Sequence, residues 1–177
     1  VTLTATNEYG SDRKSIANCI TTGNENIPIN FNSSKVYGTL IDVDNNTYKT
    51  IQIGQNTWMA ENLKTTTYND GSKIPLIEDS VTWNNSLTPA YCWYNNSAGQ
   101  YKNVYGALYN WHAVNTEKLC PIGWHIPNLE EIIDAGFMGY PNNEIHKEFL
   151  ETGVFHWPIE SNNNTGFTAL PSGKRVD

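Results

Sequence analysis

The 177-residue chain is poor in charge, and above all in positive charge, with 11 Lys and Arg against 18 Asp and Glu. Its basic residues form no cluster, whereas a protein that binds nucleic acid needs a basic stripe to meet the phosphates. No apolar run approaches the roughly 20 residues that a membrane-spanning helix requires. We therefore expect neither a nucleic-acid partner nor a membrane-spanning segment.

The chain also lacks the usual signatures of enzymes. Its four histidines form no H-x-x-x-H or H-E-x-x-H pair, and it has no nucleophile elbow and no phosphate loop. We expect no catalytic residue. A glycosidase could use Glu61 with Glu130 or Glu131 as its two acids. The simpler interpretation of Glu61 is that it accepts backbone N–H groups and orders a turn.

Cysteine is scarce, with Cys19, Cys92 and Cys120 and no C-x-x-C spacing. This excludes a zinc ribbon and a thioredoxin-like motif. An odd count leaves at least one cysteine without a partner in this chain. For Cys92 and Cys120 a disulfide, two buried thiols and a reactive site all remain open.

A metal loop is poorly supported. Asp42, Asp44 and Asn46 alternate as ligands do at the start of a calcium loop. Thr47 and Ile53 stand where such a loop needs Gly and Glu, so a hairpin turn is the better prediction. We expect no cofactor; calcium would need ligands that this sequence does not supply.

The chain is rich in aromatic residues and in Asn, with six Trp and ten Tyr. Aromatic side chains bury much area each, and Asn favours turns, so we predict a globular, loop-rich fold. Residues 1–22 alternate like a β-hairpin with a turn at Gly10-Ser11-Asp12. Residues 23–35 are polar and indicate a linker. Residues 36–177 form the second unit.

Local patterns predict the elements of this second unit. A turn at 44–46 separates two strands. A capping box at Asn128 and Glu131 opens a helix that runs toward Phe137. The predicted strands cover 36–43, 47–53, 58–63 and 90–94, the further predicted helices cover 104–114 and 143–152, and 165–171 is predicted to be extended.

Five sequence blocks occur in a characteristic order: W-M-A-E-N-L-K at 58–64, Y-C-W-Y-N-N at 91–96, Y-G-A-L-Y-N-W at 105–111, C-P-I-G-W-H-I-P at 120–127 and G-F-T-A-L-P at 166–171. Together they resemble the Fibrobacter succinogenes major paralogous domain over residues 36–175. The resemblance implies an α+β, C-type-lectin-like fold of short twisted antiparallel strands, two or three helices and long loops. It also implies closing strands beyond Asp177, so we expect the domain to be incomplete. Residues 1–22 resemble the last hairpin of an immunoglobulin-like domain of the polycystic-kidney-disease type, a β-sandwich.

These resemblances favour a non-catalytic recognition or display module of a secreted or surface-exposed bacterial protein, binding polysaccharide or a cell-surface glycan. A structural spacer is the first alternative, and an enzyme of the formylglycine-generating kind is the second.

The six tryptophans divide into two groups by their neighbours. Apolar or small neighbours favour core positions for four of them, with a sugar-stacking platform as the alternative: Trp58, Trp93, Trp111 and Trp124. Polar neighbours favour surface positions for the other two, Trp83 and Trp157. We predict that ligand-binding residues come from Trp83, Trp157, Trp93, Tyr94 and His156.

Overall fold

The computed structural model describes residues 2–7, 10–15, 27–138 and 147–175. Within these ranges the fold is mixed α/β, with short strands in small antiparallel sheets and a few short helices. The strands are β1 (Thr2–Asn7), β2 (Gly10–Ser15), β3 (Gly38–Ile41), β4 (Thr47–Ile53), β5 (Asn56–Met59), β6 (Tyr91–Trp93) and β7 (Ala107–Tyr109). The helices are α1 (Ser80–Asn85), α2 (Ala98–Tyr105), α3 (Trp111–Val114) and α4 (Leu129–Asp134), with a 3-10 turn at Tyr94–Asn96.

The strands pair as β1-β2, β3-β4-β5 and β6-β7. The N-terminal hairpin is confirmed, but its register pairs Asn7 with Gly10. The predicted turn at Gly10-Ser11-Asp12 is therefore wrong, because these residues lie within β2. Cys19 lies outside the described residues, as do residues 23–26 of the predicted linker.

The β3-β4 hairpin turns as its chemistry predicts. One carboxylate oxygen of Asp42 accepts the backbone N–H of Asn46 at 2.8 Å, and the other accepts the Tyr48 hydroxyl at 2.6 Å. Asn45 adopts a positive φ of 61°, which Asn tolerates well. This turn, held by the Asp42 side chain, fixes the start of β4, whose bounds match the predicted strand.

The predicted helix over 104–114 is wrong. Helix α2 ends at Tyr105, and Gly106 turns the chain with φ 67°. A Cβ at Gly106 would lie 2.6 Å from the carbonyl oxygen of Leu63, so only glycine allows this approach. Strand β7 then pairs with β6, and α3 is a single turn capped by Asn110.

The other two helix predictions have opposite outcomes. The capping box of α4 is confirmed, with Asn128 and Glu131 bonding each other's backbone N–H. The helix predicted over 143–152 is wrong for its described part, because Leu150 forms a parallel bridge with Ala169 instead. The described residues form four α-helices, one more than the two or three that we expected. The longest has eight residues, and none is long and apolar enough to cross a membrane.

Aromatic residues dominate the packing. The main core cluster joins residues from β6 and from the segments on either side of it: Tyr68, Ile74, Tyr91, Trp93 and Leu119. A second group is joined by edge-to-face contacts: Trp58, Phe137, Phe149 and Phe167. The two groups explain how a domain with such short helices and strands buries enough apolar area.

Candidate ligand-binding cleft

A cleft of about 610 Å³ lies between the β5 segment and the 120–131 segment. Both segments belong to the blocks that distinguish this sequence. Two indoles and several polar side chains face the cleft: Trp58, Trp124, His125, Glu131, Glu61, Asn56 and Asn62. A site that combines aromatic faces with a few polar groups is typical of small-molecule binding sites.

Strand β5 and the second aromatic group hold Trp58 in place. Trp58 pairs with Ile51 across the sheet, and its ring meets Phe137 and Phe167 edge to face at 5.1 and 6.2 Å between centroids. Its Nε1 atom is buried and has no hydrogen-bond partner among the described residues. Buried indole N–H groups usually have a partner. Trp58 therefore lines the cleft with the exposed part of its ring, while its N–H points away from solvent.

A tight turn presents Trp124 from the opposite side. The backbone N–H of Trp124 bonds the Pro121 carbonyl at 2.9 Å, and Gly123 supplies the positive φ of 85° that this turn needs. Trp124 is half-buried. Part of its indole surface is therefore open to a ligand.

His125 and Glu131 form the polar end of the cleft. His125 Nε2 lies 2.8 and 2.9 Å from the two carboxylate oxygens of Glu131. Hydrogen bonds from the backbone N–H of Asn128 and from His125 lower the pKa of Glu131 below its ordinary value. Glu131 is thus a carboxylate at neutral pH, an acceptor that can bind ligand hydroxyls.

The β5 side of the cleft carries Glu61 and Asn62. The Lys49 backbone N–H donates to Glu61 at 2.9 Å, which confirms that Glu61 accepts a backbone N–H. Asn62 Nδ2 donates to the Ser172 hydroxyl at 2.6 Å. Both side chains are therefore fixed before a ligand arrives, which lowers the entropic cost of binding.

The comparison with known families decides the assignment of the chain. The sequence model of the Fibrobacter succinogenes major domain matches residues 51–177. The chain belongs to this family. No curated protein and no solved structure matches it.

The cleft of this Fibrobacter succinogenes major domain is built from tryptophans assigned to the core on sequence grounds. That assignment is confirmed for Trp93, which is 6% exposed, and wrong for Trp111, which is 69% exposed. Trp58 and Trp124 are half-buried, in contact with the interior and with the cleft. The turn-forming Gly123 beside Trp124 is the one sequence signal that could have placed this indole at the surface.

The structure does not bring the five predicted binding residues into one site. Trp93 and Tyr94 line a hollow of about 230 Å³. His156 lines a different hollow, beside helix α2. Trp83 lies in α1 with the Arg175 guanidinium 5.2 Å from its ring, and the Trp157 N–H donates to the Ala169 carbonyl at 2.7 Å.

Cys92 and Cys120 are free thiols, and both are buried. Cys120 lines the cleft, whereas Cys92 lines the hollow beside Trp93. Burial raises the pKa of both thiols. Each is therefore protonated at neutral pH and a poor nucleophile.

The described residues contain no group of three or more His, Cys, Asp or Glu side chains placed to hold a metal ion. The carboxylates of the 42–46 turn are engaged with the protein. Asp44 accepts the Thr66 N–H at 2.6 Å and the Thr67 hydroxyl at 2.6 Å. This turn is a structural anchor.

Proposed function

We propose that this domain is a non-catalytic recognition module that binds carbohydrate in the cleft between Trp58 and Trp124. The main observation behind this proposal is that two half-buried indoles line one cleft together with amide and carboxylate groups that are already held in place. Indole faces stack on the C–H faces of sugar rings, and the polar groups suit their hydroxyls.

The chemistry of the cleft supports binding without catalysis. A glycosidase needs one carboxyl group that is protonated and acts as an acid, whereas the hydrogen bonds to Glu131 favour its charged form. An enzyme of the formylglycine-generating kind needs two thiols at one site. Cys92 and Cys120 line different cavities and are held in the protonated form by burial.

We further propose a C-type-lectin-like fold, preceded by the last hairpin of a polycystic-kidney-disease-type domain in a secreted or surface-exposed protein. Small antiparallel sheets joined by long loops support the first part. The β1-β2 hairpin supports the second. In this arrangement the hairpin belongs to a spacer and the cleft to the recognition unit.

The test is calorimetric titration of the folded chain with cello-, xylo-, laminari- and chito-hexaoses, with calcium and with a chelator. We expect Trp124→Ala to weaken binding of the preferred hexaose roughly tenfold or more through lost stacking. Trp111→Ala is the matched control, because Trp111 is exposed and lies outside the cleft.

Two further variants separate this site from the one predicted from sequence. Trp83→Ala and Trp157→Ala leave the affinity unchanged if the cleft binds the sugar. A folded chain that binds none of the hexaoses would refute the proposal and favour the structural spacer.

A further inference from the structure

A second hollow, of about 210 Å³, lies beside helix α2 and shares no lining residue with the cleft. Its lining is mostly aromatic, with one amide and one imidazole: Ile27, Gln100, Tyr101, Val104, Tyr105, Phe155 and His156. Sites for drug-sized ligands measure about 300–1,000 Å³. This hollow is therefore matched to one small ring.

The imidazole in its lining is fixed by a buried carboxylate. His156 Nδ1 lies 2.6 Å from Glu151 Oε2, and the two side chains are 7% and 1% exposed. The other Glu151 oxygen accepts the backbone N–H of Asn30 at 2.7 Å. His156 Nε2 has no hydrogen-bond partner among the described residues. The imidazole thus brings an unused polar atom to a hollow whose lining is mostly apolar.

Two tyrosines of α2 form the adjoining wall. Tyr101 and Tyr105, one helical turn apart, stack with an interplanar angle of 25° and centroids 5.8 Å apart. The Tyr105 ring meets His156 edge to face at 5.8 Å. At the rim, Phe155 is 58% exposed. An aromatic rim and wall beside an imidazole and an amide suit a ring with an apolar face and hydroxyl groups at its edge.

We propose that this hollow is a second carbohydrate-binding site, which takes a single pyranose unit or the end of a glycan chain. The ring packs against the tyrosine wall and Phe155, and a hydroxyl bonds His156 Nε2. A hydroxyl both donates and accepts, so it pairs with the imidazole in either protonation state. The Gln100 amide is the second polar contact.

The test is an NMR titration of the intact chain with the methyl pyranosides of glucose, galactose, mannose and xylose. We expect one of them to shift the side-chain signals of Gln100 and His156 with millimolar affinity. Phe155→Ala should weaken this binding roughly tenfold, through lost aromatic contact. Val154→Ala is the matched control, since Val154 is also exposed and does not line the hollow.

Trp124→Ala separates this site from the cleft, because it should leave the Gln100 and His156 shifts intact. Acetate and benzoate serve as competing probes, since a protonated imidazole could equally hold a carboxylate. The proposal is overturned if no glycoside shifts these signals, if Phe155→Ala leaves the affinity unchanged, or if a carboxylate binds more tightly than every glycoside.

Discussion

Glu151 and His156 form a hydrogen-bonded pair, 2.6 Å between Oε2 and Nδ1, in which both side chains are almost completely buried. The pair connects distant parts of the chain, because the second oxygen of Glu151 accepts the backbone N–H of Asn30. The Ser161 hydroxyl bonds the Glu151 carbonyl oxygen in the same region. The segment after Glu151 is thus ordered by polar contacts without a helix or strand.

His156→Ala should destabilise the domain by about 3–5 kcal/mol, because it leaves a buried carboxylate without its partner. Urea unfolding followed by tryptophan fluorescence measures the loss. Glu151→Gln, which keeps two hydrogen-bonding atoms, should cost clearly less. His125→Ala is the control, since His125 is exposed and should leave the unfolding midpoint almost unchanged. Equal effects of His156→Ala and His125→Ala would contradict this role.

Asp44 anchors the segment 65–67 to the hairpin turn. Burial alone would raise its pKa, but hydrogen bonds from Thr67, Thr66 and Thr65 outweigh this effect and lower the pKa from 3.8 to about 2. We expect Asp44→Asn to reduce the free energy of unfolding by about 1–2 kcal/mol, because the amide nitrogen cannot accept the Thr66 N–H.

The stability lost in Asp44→Asn should depend on pH, because folding lowers the pKa of Asp44. A folded-state pKa below the unfolded value gives stability that is complete above about pH 4 and is lost as the pH falls through about 2. The difference in unfolding free energy between the wild type and Asp44→Asn should therefore shrink across this window. Asp70 and Asp79 also have lowered pKa values, but both residues are present in the wild type and in the variant. Their contributions therefore cancel in the difference. A difference that does not change with pH would contradict the role of the charged Asp44 carboxylate as the anchor of segment 65–67.

Local chemistry made part of this fold predictable. The turn before β4 and the capping box of α4 each depend on residues within a few positions of one another, so spacing alone identifies them. Helix α1 had a similar signal that was missed, because Asp79 caps it by accepting the Thr82 N–H. Strand β7 had no local signal, since it depends on the approach of Gly106 to Leu63.

The candidate sites were less predictable because their exposure is set by long-range contacts. Trp83 has the polar neighbours of a surface residue, yet Arg175, far along the chain, covers its ring. Trp124 has the apolar neighbours of a core residue, yet a turn brings it to the cleft. Neither relationship could be inferred from the residues on either side.

The two described thiols should be unreactive in the folded protein. Burial shields Cys92 and Cys120 and raises their pKa values, so few thiolates form at neutral pH. A Cys19→Ser variant treated with Ellman's reagent should react only slightly when native and should release two equivalents in denaturant. Fast native labelling, or fewer than two thiols after unfolding without reductant, would contradict this expectation.

The contact of Gly106 with the 62–63 segment joins the β6-β7 hairpin to the cleft wall. The Ala107 N–H donates to the Leu63 carbonyl at 2.9 Å, and Leu63 lines the cleft. Gly106→Ala would place a methyl group 2.6 Å from that carbonyl oxygen and 2.7 Å from the Asn62 Cβ at a positive φ. We expect a loss of about 2 kcal/mol or more in unfolding free energy.

The same substitution should also weaken binding of the preferred hexaose, because the Asn62 and Leu63 wall must move to relieve the clash. Gly99→Ala is the matched control: its φ is not positive, it lies in helix α2, and outside its own helix no atom lies within 4 Å of the added methyl group. We expect Gly99→Ala to raise the free energy of unfolding by up to about 1 kcal/mol and to leave binding of the hexaose unchanged. If Gly106→Ala lost stability but kept full affinity, the geometry of the cleft would be independent of this contact.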